Sequence, residues 1–284
     1  MANREERVKI FEDTKQLYTA NKVLADSVTF SRQYQEVICE EVPQTTSHRY
    51  DTKAKVIVSK KRSLRAAQGY EGKKVCVLNF ASATNPGGGV EKGSNAQEEA
   101  ICRCSTLFPC IADGAVVDKF HNAHRAALKR KEMTPLYNDD CIYTPDVGVF
   151  KSDTDSPMLM PEKDWYKVDI ISCAAPNLRS IPSNAMNPDS GSKGVKIKDR
   201  ELLDLHVRRM SKILGIAKEK GAEVVILGAF GCGAFQNSPM IVSDAMQRVI
   251  REYQYDFEVV ELAVYCSERD TKNYDAFHSR FLYV

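Results

Sequence analysis

The chain carries almost no net charge: 40 Lys and Arg against 38 Asp and Glu leave +2 over 284 residues. No bulk electrostatic argument therefore points to DNA or to a membrane surface. Local basic runs such as Lys60-Lys61-Arg62 and Lys129-Arg130-Lys131 read as solvated helix faces. The opening stretch, MANREERVKIFEDTKQL, lacks the apolar core that a signal peptide needs. The longest apolar run, Val224 to Phe235, is too short and too glycine-rich to span a bilayer, which takes ~20 residues. A cytoplasmic protein without a membrane partner is the expectation. There is no CxxC pair and no His/Cys spacing that reads as a zinc site, so neither a metal nor another cofactor is expected. The nine cysteines (Cys39, Cys76, Cys102, Cys104, Cys110, Cys141, Cys173, Cys232 and Cys266) are odd in number and scattered. Several sit inside apolar runs, where cysteine behaves as a small buried hydrophobe, so they read as reduced thiols. Internal repeats and low-complexity tracts are absent too.

What is present is an ordinary globular composition, 43% hydrophobic and 27% charged, in a chain long enough to bury a sizeable core. Val8, Phe11, Leu17, Tyr18, Val23 and Leu24 recur near helical spacing and predict one or two helices over residues 4–28. Residues 43–52 read as loop, Lys55 to Val58 as a short strand, and Ser63 as the cap of a short helix stopped by Gly69. Residues 1–70 are thus expected to form a mostly helical extension packed on a main domain of residues 71–284. In that domain Val75 to Phe80 is a continuous apolar run suited to a strand buried on both faces. Gln97 opens a helix, with Ala100, Ile101, Cys104, Leu107 and Phe108 along one face. Residues 109–140 read as helical or irregular. Cys141–Tyr143 and Val147–Phe150 look like two strands joined by a Thr-Pro-Asp turn, and Val168–Cys173 like another buried strand. The Pro-, Ser- and Asn-rich stretch from Leu178 to Lys198 predicts a long mobile loop. A helix follows from Asp199 to Lys220, then a strand to Leu227. Asn237 or Ser238 caps the next helix, and Phe257 to Tyr265 is a last strand. Alternating strands and helices predict an α/β fold with a mostly parallel sheet. In such folds ligands bind at the carboxyl ends of strands.

Two glycine-rich loops begin where strands end. Asn85-Pro-Gly-Gly-Gly-Val90 is neither a dinucleotide fingerprint nor a P-loop, because the spacing and the lysine are wrong. The second, Gly228 to Asn237, contains Gly231-Cys232-Gly233-Ala234-Phe235. Two such loops can present backbone N–H groups to an anion such as a diphosphate. Phe235 is placed to pack on a sugar or base, and core packing accounts for it equally well. Glu98 and Glu99 enter the helix after the first loop. Helical neighbours point ~100° apart, so they cannot flank a bond as the separated carboxylates of most glycosidases do. They can divide the work instead, one holding hydroxyls while the other shuttles a proton. If both are confined, mutual repulsion raises one pKa. Composition alone favours the simpler reading, acids opposing a helix dipole at ~0.3–1 kcal/mol.

Gly87-Gly88-Gly89, seven residues and then Gln97-Glu98-Glu99 resemble the signature of poly(ADP-ribose) glycohydrolases. Asn79 to Pro86, Tyr143 to Phe150, Ala174 to Asn177 and Gly231 to Phe235 are similar to the microbial form of that family. The similarity runs from about Lys74 to Ser267. The resemblance implies a macrodomain-like three-layer α/β/α fold with a mixed, mostly parallel central sheet. It implies a hydrolase that cleaves the ribose–ribose bond of poly(ADP-ribose), with ADP-ribose held across both loops and no metal in the mechanism. On that basis Glu99 is the general acid/base and Glu98 holds ribose hydroxyls. Asn79 is a distal-ribose contact. Gly87, Gly88, Gly89 and Val90, with Gly231, Cys232, Gly233, Ala234 and Phe235, grip the diphosphate and distal ribose. The same pocket also suits removal of single ADP-ribose units from protein or nucleic acid, or a module that binds ADP-ribose without turning it over. The paired glutamates argue against the pure binder.

Overall fold

The structure is a computed structural model describing residues 2–42, 47–185 and 188–282. Its centre is a seven-stranded mixed sheet in the order β1-β4-β5-β3-β6-β7-β2. The strands are β1 (Glu36–Ile38), β2 (Lys55–Ser59), β3 (Val75–Phe80), β4 (Cys141–Val149), β5 (Tyr166–Cys173), β6 (Val224–Leu227) and β7 (Val259–Ala263). The pairs β5/β3, β3/β6, β6/β7 and β7/β2 are parallel, while β4 runs antiparallel to both its neighbours.

The helices are α1 (Arg4–Ala20), α2 (Lys22–Tyr34), α3 (Ser63–Ala67), α4 (Gln97–Cys104), α5 (Leu107–Ile111), α6 (Gly114–Val116), α7 (Ala123–Lys129), α8 (Asp199–Glu219), α9 (Pro239–Glu252) and α10 (Lys272–Phe281). Strand alternation divides the core between two helical layers. Val75 and Val77 of β3 pack with Phe11, Leu64, Ile101 and Leu107 from α1, α3, α4 and α5. Cys76 and Leu78 face Met210, Ile213, Met246 and Phe277 from α8, α9 and α10. This is the expected three-layer α/β/α arrangement.

The first seventy residues are not only a helical cover. They also thread both edge strands, β1 against β4 and β2 against β7, so the sheet is completed by the segment set apart as an extension. Three residues of β1 are too few to show a period in the sequence. Asn21 divides the helices at the N-terminus: its N–H ends α1 on Leu17 O, and its side chain accepts from Val23 and Leu24 to start α2.

Other expectations are corrected. Ser63 does not cap α3; the Leu64 N–H is instead taken by Asp153 Oδ2, 3.0 Å away. Ser238 is the N-cap of α9 as expected, with Pro239 next, but it caps through its carbonyl, which accepts from Val242 N–H, and not through its side chain. The two short strands around Thr-Pro-Asp are one strand, β4, with a bulge: Pro145 and Asp146 together stand opposite the single Asp169. Asp146 adopts φ 52° there. The carbonyls that leave the ladder are taken up by α2, where Ser31 Oγ donates to Pro145 O at 2.6 Å and Ser27 Oγ to Asp146 O at 2.8 Å. The last strand is shorter than expected and α10 follows it. All nine cysteines are free.

The Leu178 to Lys198 stretch holds no helix or strand among its described residues; residues 186–187 lie outside the description, as do 43–46 of the first predicted loop. It is anchored at Ser190. Ser190 is buried, with its hydroxyl 3.3 Å from Thr84 Oγ1, and Tyr137 donates to Ser190 O at 3.4 Å.

Candidate active site

The chain crosses from β3 to β5 on one side and β6 on the other, so the sheet has a switch point at β3, where α/β folds open a crevice. A cleft of about 560 Å³ lies there, over the carboxyl ends of β3, β6 and β7. That volume suits a small-molecule ligand. Its walls include Phe80, Ser82, Gly88, Glu98, Glu99 and, across the opening, the second glycine loop.

Gln97 sets the geometry. Its Oε1 accepts from Phe80 N–H at 2.8 Å, while Nε2 donates to Leu78 O at 2.7 Å and to Ser63 Oγ at 3.0 Å. The amide thus completes the hydrogen bonding at the end of β3, like one residue of an extra strand. The first turn of α4 is thereby fixed to the sheet, and Glu98 and Glu99 with it.

The two carboxylates converge despite their divergent helical positions. A Cβ on Gly88 (φ 58°) would lie 2.6 Å from Glu99 Oε1 and 3.2 Å from Glu98 Oε2. Only a glycine can stand between them. Gly87 is likewise at positive φ, with the Phe108 ring 2.7 Å from where its Cβ would be. Glu98 accepts from Ser82 N–H at 2.8 Å and from Asn79 Nδ2 at 3.4 Å. Burial, with repulsion from Glu99 second, raises its pKa well above the usual carboxylate range; hydrogen bonds from Ser82, Asn79 and the Gly87 backbone oppose the rise. Glu99 Oε1 accepts from Gly89 N–H at 2.9 Å, and its buried Oε2 has no partner among the described residues.

The N–H groups of the first loop are bonded within the protein, and Gly88 alone of its glycines lines the cleft. Gly88 N–H is bonded to Asn85 O and Val90 N–H to Gly87 O, while Gly89 N–H goes to Glu99. Gly87, Gly89 and Val90 do not line the cleft, and Val90 is a fully buried core residue. Asn79 is also fully buried, behind Glu98, donating to Ser172 Oγ at 2.9 Å. The structure does not bring it to the cleft wall as a ribose contact.

In the second loop Gly231, Gly233, Ala234 and Phe235 line the cleft, whereas Cys232 points away and its thiol, pushed up to about 12 by burial, sits against Phe230 O. The N–H groups of Gly231, Gly233, Ala234 and Phe235 have no acceptor among the described residues. Asn237 shapes this loop: its Nδ2 donates to Pro176 O at 2.7 Å and Gly231 O at 3.0 Å, and its Oδ1 accepts from His206 Nε2 at 2.9 Å. Burial lowers the His206 pKa to about 4, so it is a neutral donor there. Phe235 is half-buried, with Tyr137 behind it at 6.3 Å between ring centroids.

At the other end of the cleft Arg62, expected on a solvated helix face, is instead mostly buried in the wall, beside residues for which the sequence suggests no role. Arg62 lies over the Tyr265 ring at 4.1 Å and pairs with Asp155, and Asp153 joins them in the wall. They come from three separated segments, and no local spacing announces them. Among the described residues no group of acidic, His or Cys side chains could hold a metal ion, and no helix is long and apolar enough to cross a membrane.

The family described as "Microbial-type PARG, catalytic domain" matches residues 2–152, just over half of the chain. No match was found among curated proteins. Among solved structures, the poly(ADP-ribose) glycohydrolase of Thermomonospora curvata is similar at 27% identity and a TM-score of 0.80, covering 98% of this chain and 100% of that one. The same enzyme bound to the inhibitor ADP-HPD matches at 26% and 0.79 with the same coverage. The poly(ADP-ribose) glycohydrolase of Deinococcus radiodurans, in complex with ADP-ribose, matches at 25% identity and 0.72, over 90% of this chain and 97% of that one.

Proposed function

The chain belongs to the microbial-type poly(ADP-ribose) glycohydrolase catalytic-domain family, and we propose that its cleft hydrolyses the ribose–ribose O-glycosidic bond of poly(ADP-ribose) to release ADP-ribose, with Glu99 as the acid/base. One observation carries this reading: two buried carboxylates converge on Gly88, and one oxygen of Glu99 faces no protein partner. An unpartnered buried oxygen costs about 1–3 kcal/mol, a cost a pure binder has no use for.

Burial first, and the neighbouring Glu99 second, favour the protonated form of Glu98. Glu99 Oε2, which meets no protein partner among the described residues, is the oxygen that carries the proton to the substrate. As the C1″–O bond breaks, the proton passes to the departing ribose oxygen and positive charge develops at C1″. Glu99, now ionised, takes a proton from water as its oxygen bonds to C1″, and the pair is restored. Glu98, held by Ser82 N–H and Asn79, keeps its position and holds ribose hydroxyls. The unspent N–H groups of Gly231, Gly233, Ala234 and Phe235 suit the diphosphate, and the Phe235 ring suits the adjoining sugar. The free cysteines fit a reducing compartment, and the cytoplasm is the proposed location.

The test offers purified protein poly(ADP-ribose), mono-ADP-ribosylated protein and ADP-ribosylated DNA, and measures released ADP-ribose. Release from the polymer is expected; release only from the mono-modified carriers would overturn the polymer assignment.

A further inference from the structure

Between the glycine turn and α4 the chain passes through Ser94, Asn95 and Ala96, and a buried cation governs this segment. Arg103 lies one helical turn beyond Glu99 and is 1% exposed. Its Nη1 donates to Ser94 O at 2.6 Å and its Nη2 to Asn95 Oδ1 at 2.8 Å. No carboxylate lies within ion-pairing distance of it among the described residues. A buried guanidinium that spends its donors on neutral oxygens is costly, and both of those oxygens belong to one short connection.

The consequence falls on the orientation of Asn95. A guanidinium only donates, so the amide atom facing it must be the oxygen. The NH₂ group is then the other branch of an exposed side chain that lines the cleft. Nothing among the described residues accepts from it. Without Arg103 the amide would be free to turn and offer either group.

Resting on the reading above, we propose that Asn95 is a substrate-binding residue that donates a hydrogen bond to an acceptor atom of bound ADP-ribose, and that Arg103 is the positioning residue that sets its direction. The site thereby gains a fixed donor beside the catalytic acids, on the wall opposite the second glycine loop.

The test measures ADP-ribose binding by calorimetry on the full-length protein, with thermal melting alongside. Asn95→Ala removes the donor without adding charge and is expected to weaken binding threefold or more, with the fall in kcat/KM carried by KM. Asn95→Asp gives Arg103 a carboxylate partner while abolishing the donor. It is expected to melt no lower than wild type and to bind more weakly than Asn95→Ala. Arg103→Lys, which keeps the charge and loses the fork, is expected to weaken binding threefold or more in the wild-type background and to add nothing to Asn95→Ala. Wild-type affinity retained within threefold by Asn95→Ala would overturn the binding role, and an equal loss from Arg103→Lys in both backgrounds would overturn the positioning role. Wild-type protein that binds no ADP-ribose would instead overturn the functional reading on which both rest.

Discussion

Replacing Gln97 by Met tests how the sheet holds the catalytic helix. Methionine keeps the length of the side chain and removes every polar atom, so Phe80 N–H and Leu78 C=O each lose their partner, at 2.8 and 2.7 Å in the native protein. Each buried backbone group left unpaired costs about 1–3 kcal/mol, so the variant should lose about 2–6 kcal/mol of stability. Gln97→Ala makes a gap open to the cleft, where water can replace the lost partners, and should cost less than Met. Urea unfolding with unchanged m-values reads both numbers. Activity should fall as well, by about 100-fold, because a displacement of ~1 Å at a reacting centre costs that much. A Gln97→Met variant within 0.5 kcal/mol of wild type, with full turnover, would refute the claim that this amide fixes Glu98 and Glu99 (the threshold is roughly the error of such measurements).

Gly88→Ala should lower turnover at least 100-fold, since its Cβ would meet Glu99 Oε1 at 2.6 Å with φ at 58°; a steady-state assay with near-native activity would contradict the convergence of the two acids. Burial depresses His121 to about 3 and His206 to about 4, so the unfolded chain takes up these protons first and stability falls as pH drops below 6.5. Each histidine should cost about 2 kcal/mol between pH 6.5 and 5. His121→Gln should remove about that much of the loss in denaturant titrations at the two pH values, and an unchanged profile would contradict it. Glu98, raised by burial, works in the opposite direction over the same window.

Much of the site was legible because its chemistry lies in short runs at strand ends. The triple glycine with Gln97-Glu98-Glu99 and the Gly231 to Phe235 loop are each contiguous, and the structure brings them to one cleft. The roles within the runs were less legible. Gly87 and Gly89 turn their N–H groups to the acids, which depends on loop conformation and not on residue type. Asn79 ends a strand beside the cleft, yet side-chain alternation sends it behind Glu98. Arg62, Asp153 and Tyr265 meet only through tertiary packing. In the fold, long strands with continuous apolar runs were readable, while β1, with one exposed and two half-buried residues, depends on its pairing with β4. The β4 bulge reads as a turn in the sequence because Pro145 and Asp146 are turn residues; the serines of α2, over a hundred positions away, and Asp169 of β5 take up their backbone groups within the strand.

The central claim, that Glu99 carries the proton for glycosidic cleavage, is tested most directly by Glu99→Gln assayed for ADP-ribose release from poly(ADP-ribose) and for ADP-ribose binding on the same preparation. Glutamine keeps an acceptor for Gly89 N–H and cannot exchange the proton. Affinity should stay within about tenfold while turnover falls by about 10²–10⁴, the usual worth of acid/base catalysis. A variant that still releases ADP-ribose at the wild-type rate, or one that has lost binding together with turnover, would contradict the account.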